Sequence, residues 1–514
     1  MSRHHSVREI ELKLRVAPDS IRRLTRCRLL RGTGRPVSHR LRSIYYDTPG
    51  LDLLRQRIAL RTRRENGAWV QTVKGEGTVR AGLHERAECE ARVTGPEPDL
   101  SRVEDRALAA ALKRPGIRDE LRPVFITDIR RSRRLLRLAD GTTIEASIDH
   151  GMICSGDRVE PVAELELELK GGDRTRLYEL ALQLQEDLPL ALENRSKAER
   201  GYALQGAQEE SPVKAQAAAL DPGMSVSDAF KAVMWANLAH LHANERGTLT
   251  GTDPEYLHQM RVALRRLRSA LGVFSPPVPE SEAEPLARHL KWLASRLGPA
   301  RDWDVFVAET LPPIESEFGA QGELRAFGAR CSELRRAANA SARRAVRSRR
   351  YQRLMLRLAA WIDAEGWRVS GQAPAADALQ TPVAEFAARV LERRYQQARK
   401  RGRRLAKRSP AELHRLRIAI KKFRYATDFF AGLYPGNTTR ETLKRLGELQ
   451  DILGAMNDAA TVAELMTQGF GGGRGKRVLE AKGILLGWSR GHAVLLKQRL
   501  KGAWKAFRAA EPFW

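Results

Sequence analysis

The sequence predicts a multidomain protein in which an α+β domain precedes an all-α domain. Its 514 residues exceed the usual length of a single domain. Over residues 1–205, charged and apolar residues alternate with the period of two that is typical of strands. Over residues 224–514, apolar residues recur at spacings of three and four, which indicates helices. Residues 206–223, which include Gly, Pro and many Ala, are expected to form an exposed linker.

The stretch Glu9–Val16 is the clearest strand, and the side chains of Glu9, Glu11 and Lys13 share one of its faces. A solvated outer face would explain these charges about as well as a functional face. However, two carboxylates roughly 7 Å apart on one face of a strand can share a hard cation. The same alternation returns in Glu164–Lys170, and this recurrence favours the functional interpretation.

Other stretches of the first domain carry charges on one face in the same way, at 57–63, 69–74, 86–90, 125–133 and 144–149. Helical segments at 18–30, 101–113 and 173–187 are expected to cover the opposite, apolar faces. The charged faces then border either open water or a wet cavity. A cavity that binds a polyanion together with a metal ion would need carboxylates for the cation and Lys or Arg for phosphate oxygens.

The formal net charge of +28 is concentrated in the second half of the chain. Residues 1–220 hold 40 Lys and Arg against 33 Asp and Glu, whereas residues 221–514 hold 50 against 29. Such a basic half implies a polyanionic partner, for which nucleic acid, anionic lipid and inorganic polyphosphate all qualify. No stretch approaches 18 apolar residues, the N-terminus lacks the apolar core of a signal peptide, and the four cysteines lack metal-ligand spacing. We therefore expect a cytoplasmic protein with reduced thiols and no membrane span.

The order of motifs in the first domain resembles the CYTH family, the triphosphate tunnel metalloenzymes, over about residues 5–203. The motifs are Glu9-x-Glu11-x-Lys13, Tyr46-Asp-Thr-Pro49, Leu60-Arg-x-Arg63, Lys74, Arg86-x-Glu-x-Glu90, Glu164-x-Glu-x-Glu-x-Lys170 and Ser196-Lys197-Ala-Glu-Arg200. The resemblance implies an eight-stranded antiparallel β tunnel barrel with flanking helices. It also implies hydrolysis of inorganic triphosphate, or of a related triphosphate, with Mg²⁺ or Mn²⁺.

The resemblance further implies roles for individual residues. The metal-binding carboxylates would be Glu9, Glu11, Glu166 and Glu168. Glu166 and Glu168 are preferred to Glu164, but the alternation alone leaves the strand register, and so this choice, open. The phosphate ligands would be Lys13, Arg61, Arg63, Lys74, Arg131 and Lys197, with Arg133 as an alternative to Arg131. In this scheme the cations and the metal neutralise charge on the transferred phosphoryl group, while a second metal ion or a carboxylate activates water.

The helical half contains an internal repeat. Residues 257–268 match residues 413–424 at an offset of 156, and Phe230 and Phe386 keep the same offset. In each copy a His, an Arg and two further basic residues lie at i, i+3, i+7 and i+10, within an arc of about 80° on a helix. A solvated basic face is the usual explanation for an Arg-rich helix, and it suits 343–350 and 399–408 well. However, a solvated basic face does not require the same order of residues in two different helices.

This doubled helix resembles the CHAD family, the conserved histidine α-helical domain, over about residues 225–510. The resemblance implies two repeated four-helix bundles, at about 224–370 and 380–514, around a basic cavity that binds inorganic polyphosphate. The binding residues would be His258, Arg261, Arg265, Arg266, Arg268, His414, Arg417, Lys421, Lys422 and Arg424. We also expect a bacterial, cytoplasmic protein that associates with polyphosphate granules.

Other functions compete with this interpretation. The barrel could be a degenerate receptor in a non-catalytic polyphosphate-binding or targeting protein, although every charged position that catalysis needs is filled. An adenylate cyclase or a thiamine triphosphatase ranks lower, since no motif in the sequence indicates recognition of a base. Nucleic acid is disfavoured as a partner because the chain shows no helix-turn-helix or zinc-finger pattern and no clustered aromatic residues.

Overall fold

The computed structural model describes residues 7–32, 36–65, 67–206, 211–318, 322–368, 373–470 and 476–514. The chain forms two compact units. The barrel unit comprises Met1–Ser211 together with Arg349–Ala364, and the helical unit comprises Pro212–Ser348 and Glu365–Trp514. Of the predicted linker, residues 207–210 lie outside the described residues.

The barrel unit is built on a closed antiparallel sheet, so the predicted eight-stranded barrel is confirmed. Its strands are β1 Val7–Val16, β2 Val37–Asp47, β3 Ala59–Glu65, β4 Ala68–Arg80, β5 Leu83–Val93, β6 Arg122–Arg137, β7 Thr143–Ser155 and β8 Arg158–Gly171. They follow the order β5-β4-β3-β2-β6-β7-β8-β1, and pairing of β1 with β5 closes the ring. A short strand, β9 Leu190–Leu192, adds to the free part of β1. Because side chains alternate along each strand, one half of them points into the barrel.

Apolar residues on the outer face of the barrel meet short helices. These are α1 Ile21–Arg26, α2 Asp52–Arg55, α3 Arg106–Leu112, α4 Thr175–Asp187 and α5 Lys197–Leu204. Around α3, Leu108 and Leu112 join Leu60 and Val73 in one buried cluster. The helix α4 packs on β1 and β8 and buries Leu177, among other apolar residues. The helix α5 covers another part of the barrel, since its Ala198 and Tyr202 belong to a separate buried cluster with residues of β2 and β6.

The rest of the chain is helical. Its elements are α6 Val226–Ala243, α7 Glu245–Thr250, α8 Glu255–Val273, α9 Glu280–Val305, α10 Leu311–Phe318, α11 Gly322–Arg347, α12 Arg349–Asp363, α13 Ala373–Gln380, α14 Val383–Arg401, α15 Pro410–Phe430, α16 Asn437–Phe470 and α17 Lys476–Arg508. Among the described residues, no helix is both long enough and apolar enough to span a membrane.

The packing of the helical unit follows the sequence repeat. In the first copy α8 packs against α6 and α9, and in the second copy α15 packs against α14 and α16. The helices α8 and α15 also pack against each other. At the centre, the rings of Phe230 and Phe274 meet those of Phe386 and Phe430, with neighbouring ring centroids 5.1–6.1 Å apart. Phe230 and Phe386 lie 156 residues apart, as do Phe274 and Phe430, so the aromatic core has the symmetry of the repeat.

One helix of the second half of the chain, α12, belongs to the barrel unit. It packs on α4 and β9 and buries an apolar face that includes Tyr351, Leu354 and Leu358. The guanidinium of Arg174 donates two hydrogen bonds to Asp363, at 3.0 and 2.8 Å. Helical periodicity predicts a helix at this position, but it does not reveal which unit the apolar face will meet.

Candidate active site

A cavity of about 750 Å³ lies inside the barrel, and all eight strands and α5 contribute to its lining. The structure brings ten residues of the predicted catalytic and metal-binding set together around it. They are Glu9, Glu11, Lys13, Arg61, Arg63, Lys74, Arg131, Glu166, Glu168 and Lys197. Arg133, the alternative to Arg131, lines the same cavity, since the two residues share a face of β6.

Carboxylates concentrate on three neighbouring strands. On β1 and β8, Glu11 lies opposite Glu168 and Lys13 lies opposite Glu166. On β7, Glu145 lies opposite Glu168. Burial, with the nearby charges of Glu9 and Glu145, raises the pKa of Glu168 above its ordinary value, although Lys170 opposes this shift. Carboxylates are therefore dense on this side of the cavity, where they alternate with Lys13 and Lys170.

The deepest carboxylates surround the ammonium of Lys197. Its Nζ atom lies 2.8 Å from Asp149, 2.7 Å from Glu164 and 2.9 Å from Glu166. Glu166 also contacts Lys13 Nζ and Arg131 Nη2, each at 2.5 Å. Burial alone would raise the pKa of Glu166, but Lys13, Lys197 and Arg131 outweigh it and hold this pKa well below its ordinary value. Glu166 thus remains ionised as the shared counter-ion of three cations.

One group of these carboxylates suits a hard divalent cation. Asp149, Glu164 and Glu166 each offer one oxygen, and these oxygens lie within 4.8 Å of one another. Carboxylate oxygens are the ligands that Mg²⁺ and Mn²⁺ prefer. The register brings Glu164 into this cluster, whereas Glu168 lies two residues nearer the opposite end of β8. A metal ion held by Asp149 or Glu164 would have to compete with Lys197 for them.

Further cations of the lining also pair with carboxylates. Lys74 Nζ lies 2.6 Å from Glu9 of β1 and 3.1 Å from Glu88 of β5. Arg63 contacts Glu65 at 2.8 Å, and Arg133 contacts the other oxygen of the same carboxylate at 2.9 Å. An incoming polyanion could displace such internal ion pairs, because it offers several charged oxygens to the same cations.

The helix α5 positions Lys197 at its first residue. A capping box starts this helix, with Ser196 and Glu199 satisfying each other's backbone N–H groups. Further along, the Tyr202 hydroxyl donates to the fully buried Asp47, which also accepts backbone N–H groups from Leu53 and Leu54. The Tyr46-Asp-Thr-Pro motif therefore anchors α5 and α2, and its side chains supply no charge to the cavity.

Sequence reasoning missed several residues of the site. Asp149 belongs to an alternating stretch that was recognised, but nothing in the alternation showed that its buried carboxylate would pair with Arg131 and Lys197 of the cavity lining. Glu88 and Glu90 also line the cavity, and the spacing of the motif Arg86-x-Glu-x-Glu90 could have indicated them. Tyr45 lines the cavity as well, and its apolar neighbours in the sequence gave no signal of this.

In the helical unit, the His and the basic residues at i, i+3, i+7 and i+10 form a basic stripe on each of the repeated helices α8 and α15. The stripe of α8 lies partly buried at the contact between α8 and α9. Burial, with the charges of Arg301, Arg265 and Arg261, lowers the pKa of His258 to about 4. Arg261 lies 3.9 Å from Asp302, and Arg268 is exposed. The second copy is more open, since His414 is exposed and contacts Asn457 at 3.1 Å. Arg417, Lys421 and Arg424 are half-buried on the same helix.

Two predicted polyphosphate-binding residues lie away from the stripes, because position i+8 is rotated by about 80° from position i. Arg266 is buried, donates to Asn237 at 2.7 Å and contacts Asp428 at 3.3 Å. Its guanidinium also stacks 5.1 Å from the centre of the Phe429 ring. The equivalent Lys422 is exposed on the side of α15 that faces Arg394 and Arg401 of α14. The structure therefore gives Arg266 a packing role between helices.

Known proteins resemble both parts of this chain. The CYTH domain family matches residues 7–202, and the CHAD domain family matches residues 232–467. An inorganic triphosphatase of Haemophilus influenzae is 32% identical over 201 residues, which are 38% of this chain and 55% of that protein. The chain thus spans about half the length of this curated relative.

A solved structure of the CHAD domain from the plant Ricinus communis is 34% identical. It aligns with a TM-score of 0.52 over 59% of this chain and 98% of that chain. Taken with the closed barrel and the symmetric helical unit, these matches show that the chain belongs to the CYTH and CHAD families, with a CYTH domain followed by a CHAD domain.

Proposed function

We propose that the barrel cavity hydrolyses inorganic triphosphate, or a related triphosphate, with Mg²⁺ or Mn²⁺. The observation that carries this proposal is a single cavity, lined by all eight strands, in which carboxylates and Lys or Arg side chains are interleaved. A linear triphosphate carries several negative charges, and the Lys and Arg side chains of the lining offer several cations to its oxygens. The related triphosphatase of Haemophilus influenzae and the metal dependence of the CYTH family support the same reaction.

We assign two roles to the residues of the cavity. Lys13, Arg61, Arg63, Lys74, Arg131 and Lys197 would bind phosphate oxygens and hold the terminal phosphoryl group in place. Glu9, Glu11, Glu166 and Glu168, with Asp149 and Glu164, provide the carboxylates that would hold the cation. When bound, the divalent ion neutralises charge on the phosphoryl group and favours ionisation of water. The fixed cations stabilise the charge that shifts toward the leaving phosphate without having to reorganise.

A phosphate-release assay tests this proposal. We expect tripolyphosphate to be hydrolysed faster than ATP or thiamine triphosphate, and only when Mg²⁺ or Mn²⁺ is present. Hydrolysis that is unaffected by chelation of divalent ions would contradict the metal assignment. Conversion of ATP to a cyclic nucleotide and pyrophosphate would favour the cyclase alternative. Tight binding of tripolyphosphate without phosphate release would identify the barrel as a receptor.

We further propose that the helical unit binds inorganic polyphosphate through its two stripes. The stripes are repeated in order, and they carry half-buried basic groups that a solvated face does not need. Arg265 extends this basic surface toward α15, where it donates to the Tyr425 hydroxyl at 3.1 Å. Because phosphate contacts release counterions, the affinity should fall steeply between about 50 and 200 mM salt.

A comparison of charge-matched variants of the full chain tests the stripes. Arg261→Ala combined with Arg417→Ala removes one stripe residue from each repeat. Arg336→Ala combined with Arg344→Ala removes two exposed arginines of α11 and serves as the control. We expect the first pair to weaken binding of long-chain polyphosphate at least tenfold more than the control pair. Equal losses, or duplex DNA bound as tightly as polyphosphate, would mean that the basic surface is nonspecific.

A further inference from the structure

The carboxylate of Glu65 pairs with two arginines of the cavity lining at the same time. Its Oε2 atom lies 2.8 Å from Arg63 Nη2, and its Oε1 atom lies 2.9 Å from Arg133 Nη2. Arg63 lies on β3 and Arg133 on β6, and both line the cavity. Guanidinium groups recognise carboxylate and phosphate with the same fork of donors. Glu65 therefore holds two cations that could otherwise bind a phosphate group.

This ion-pair cluster lies at the end of the barrel that is remote from α5. The strand β3 begins at Ala59, and β6 carries Phe125 near its start. Both residues pack in one cluster with Ala198 of α5, so α5 covers this end. From there β3 runs to Glu65, its last residue, and β6 runs in the same direction to Arg133. A linear ligand would therefore enter at the Glu65 end, with α5 at the far end of its path.

Glu65 is ionised and has little access to water. Its side chain is 16% exposed, and burial alone would raise its pKa, but Arg63 and Arg133 lower this pKa below its ordinary value. Within the described part of the chain, its carboxylate forms no other ion pair. An anion that took both arginines would meet the negative charge of Glu65 and leave this largely buried carboxylate without a partner, which is unfavourable.

We propose that Glu65 is a specificity-determining residue that limits the length of the linear polyphosphate that the barrel accepts. This inference rests on the proposed function, since it concerns the choice of substrate in the same cavity. Three phosphates can use the cations nearer α5, such as Lys13 and Lys197, whereas a fourth phosphate reaches Arg133, which Glu65 already holds. A charge placed against the wrong ligand is a common source of specificity.

Glu65→Gln tests the inference, because glutamine keeps the size of the side chain and removes its charge. The measurement is the ratio of kcat/KM for tetrapolyphosphate to kcat/KM for tripolyphosphate, at saturating Mg²⁺. We expect this ratio to rise roughly tenfold or more, as for the gain of one charge-assisted hydrogen bond from Arg133. Glu76→Gln removes an exposed carboxylate and is the matched control, which should leave the ratio unchanged.

The ratio separates substrate selection from a structural role. If Glu65 only held Arg63 and Arg133 in place, Glu65→Gln would lower kcat/KM for both substrates by the same factor. A ratio within about twofold of wild type in a folded protein would therefore overturn the inference. Adding Arg133→Ala to Glu65→Gln should cancel the rise, because this guanidinium is proposed to bind the fourth phosphate. A rise that persists without Arg133 would also contradict the inference.

Calorimetry with tripolyphosphate and tetrapolyphosphate, without metal, distinguishes the failure of this inference from the failure of the proposed function. If the wild type binds tripolyphosphate without hydrolysing it, the proposed hydrolysis is wrong, and the ratio of the two affinities in wild type and Glu65→Gln still tests the selection. If the wild type hydrolyses tripolyphosphate and neither ratio changes in Glu65→Gln, only the inference on Glu65 is wrong. If the wild type neither binds nor hydrolyses tripolyphosphate, both proposals fail.

Discussion

Glu166→Gln is expected to reduce tripolyphosphate hydrolysis by about 10²–10³-fold, the range seen when one fixed charge-stabilising group is removed from an active site. Glu166 contacts Lys13, Arg131 and Lys197, all of which are proposed phosphate ligands. Without its charge, the three cations lose the counter-ion that they share, and each keeps only its other partners: Glu11 for Lys13, Asp149 for Arg131, and Asp149 with Glu164 for Lys197. The substitution would also remove one of the carboxylates proposed to hold the metal ion. Both effects act in the same direction.

The measurement is kcat/KM for tripolyphosphate at saturating Mg²⁺, with the folded fraction followed by circular dichroism. Glu76→Gln is the matched control, since Glu76 is exposed and pairs with Arg57 at 2.8 Å. This control should retain wild-type kinetics. A folded Glu166→Gln protein with kcat/KM within threefold of wild type would show that neither the counter-ion nor the metal role of Glu166 matters for the reaction.

Lys197→Met is expected to lower the free energy of unfolding by about 3–5 kcal/mol near pH 7, as when one partner of a buried ion pair is removed. The ammonium lies within 2.9 Å of three carboxylates that are almost fully buried. Arg131 and Lys13 would remain, but they neutralise these carboxylates less completely. Hydrolysis should also be lost, because Lys197 lines the cavity.

The pH dependence gives this prediction a second readout. In the wild type, burial opposes ionisation of Asp149, yet Arg131 and Lys197 lower its pKa, so its stabilising effect is lost as acid protonates it. In Lys197→Met, Asp149 loses one of the two cations that lower its pKa, so it takes up a proton more easily. The difference in stability between the two proteins should therefore shrink between about pH 5 and 3. Lys170→Met, which removes a lysine that is 40% exposed, should cost less than about 1 kcal/mol at any pH.

Strand alternation predicted which residues point into the barrel better than it predicted which of them line the cavity. Glu9, Glu11, Lys13, Arg61 and Arg63 line the cavity because a period of two assigns every second residue to one face. Alternation does not say where along a strand the cavity lies. The choice between Glu164 and Glu168 consequently depended on the register of β8 against β7, which long-range pairing sets.

The helical unit shows a related limit. The repeat predicted that α8 and α15 carry matching stripes, and the offset of 156 residues also holds in the aromatic core. It did not predict that the two copies would differ in exposure. Arg266 is packed against Asn237 and Asp428, whereas its counterpart Lys422 is exposed, because contacts with other helices decide which basic residues reach solvent.

The position of α12 in the barrel unit affects the order in which the protein can be made. A ribosome finishes β9 and α5 long before it reaches Asp363, since the 137 residues of 212–348 intervene. At typical elongation rates, the 153 residues from 212 to 364 take roughly 8–30 s to synthesise. During that time the apolar surface of α4 and β9 that α12 will cover has no cover from this helix. The nascent barrel therefore passes through a stage at which chaperones, or premature contacts with other chains, can reach it.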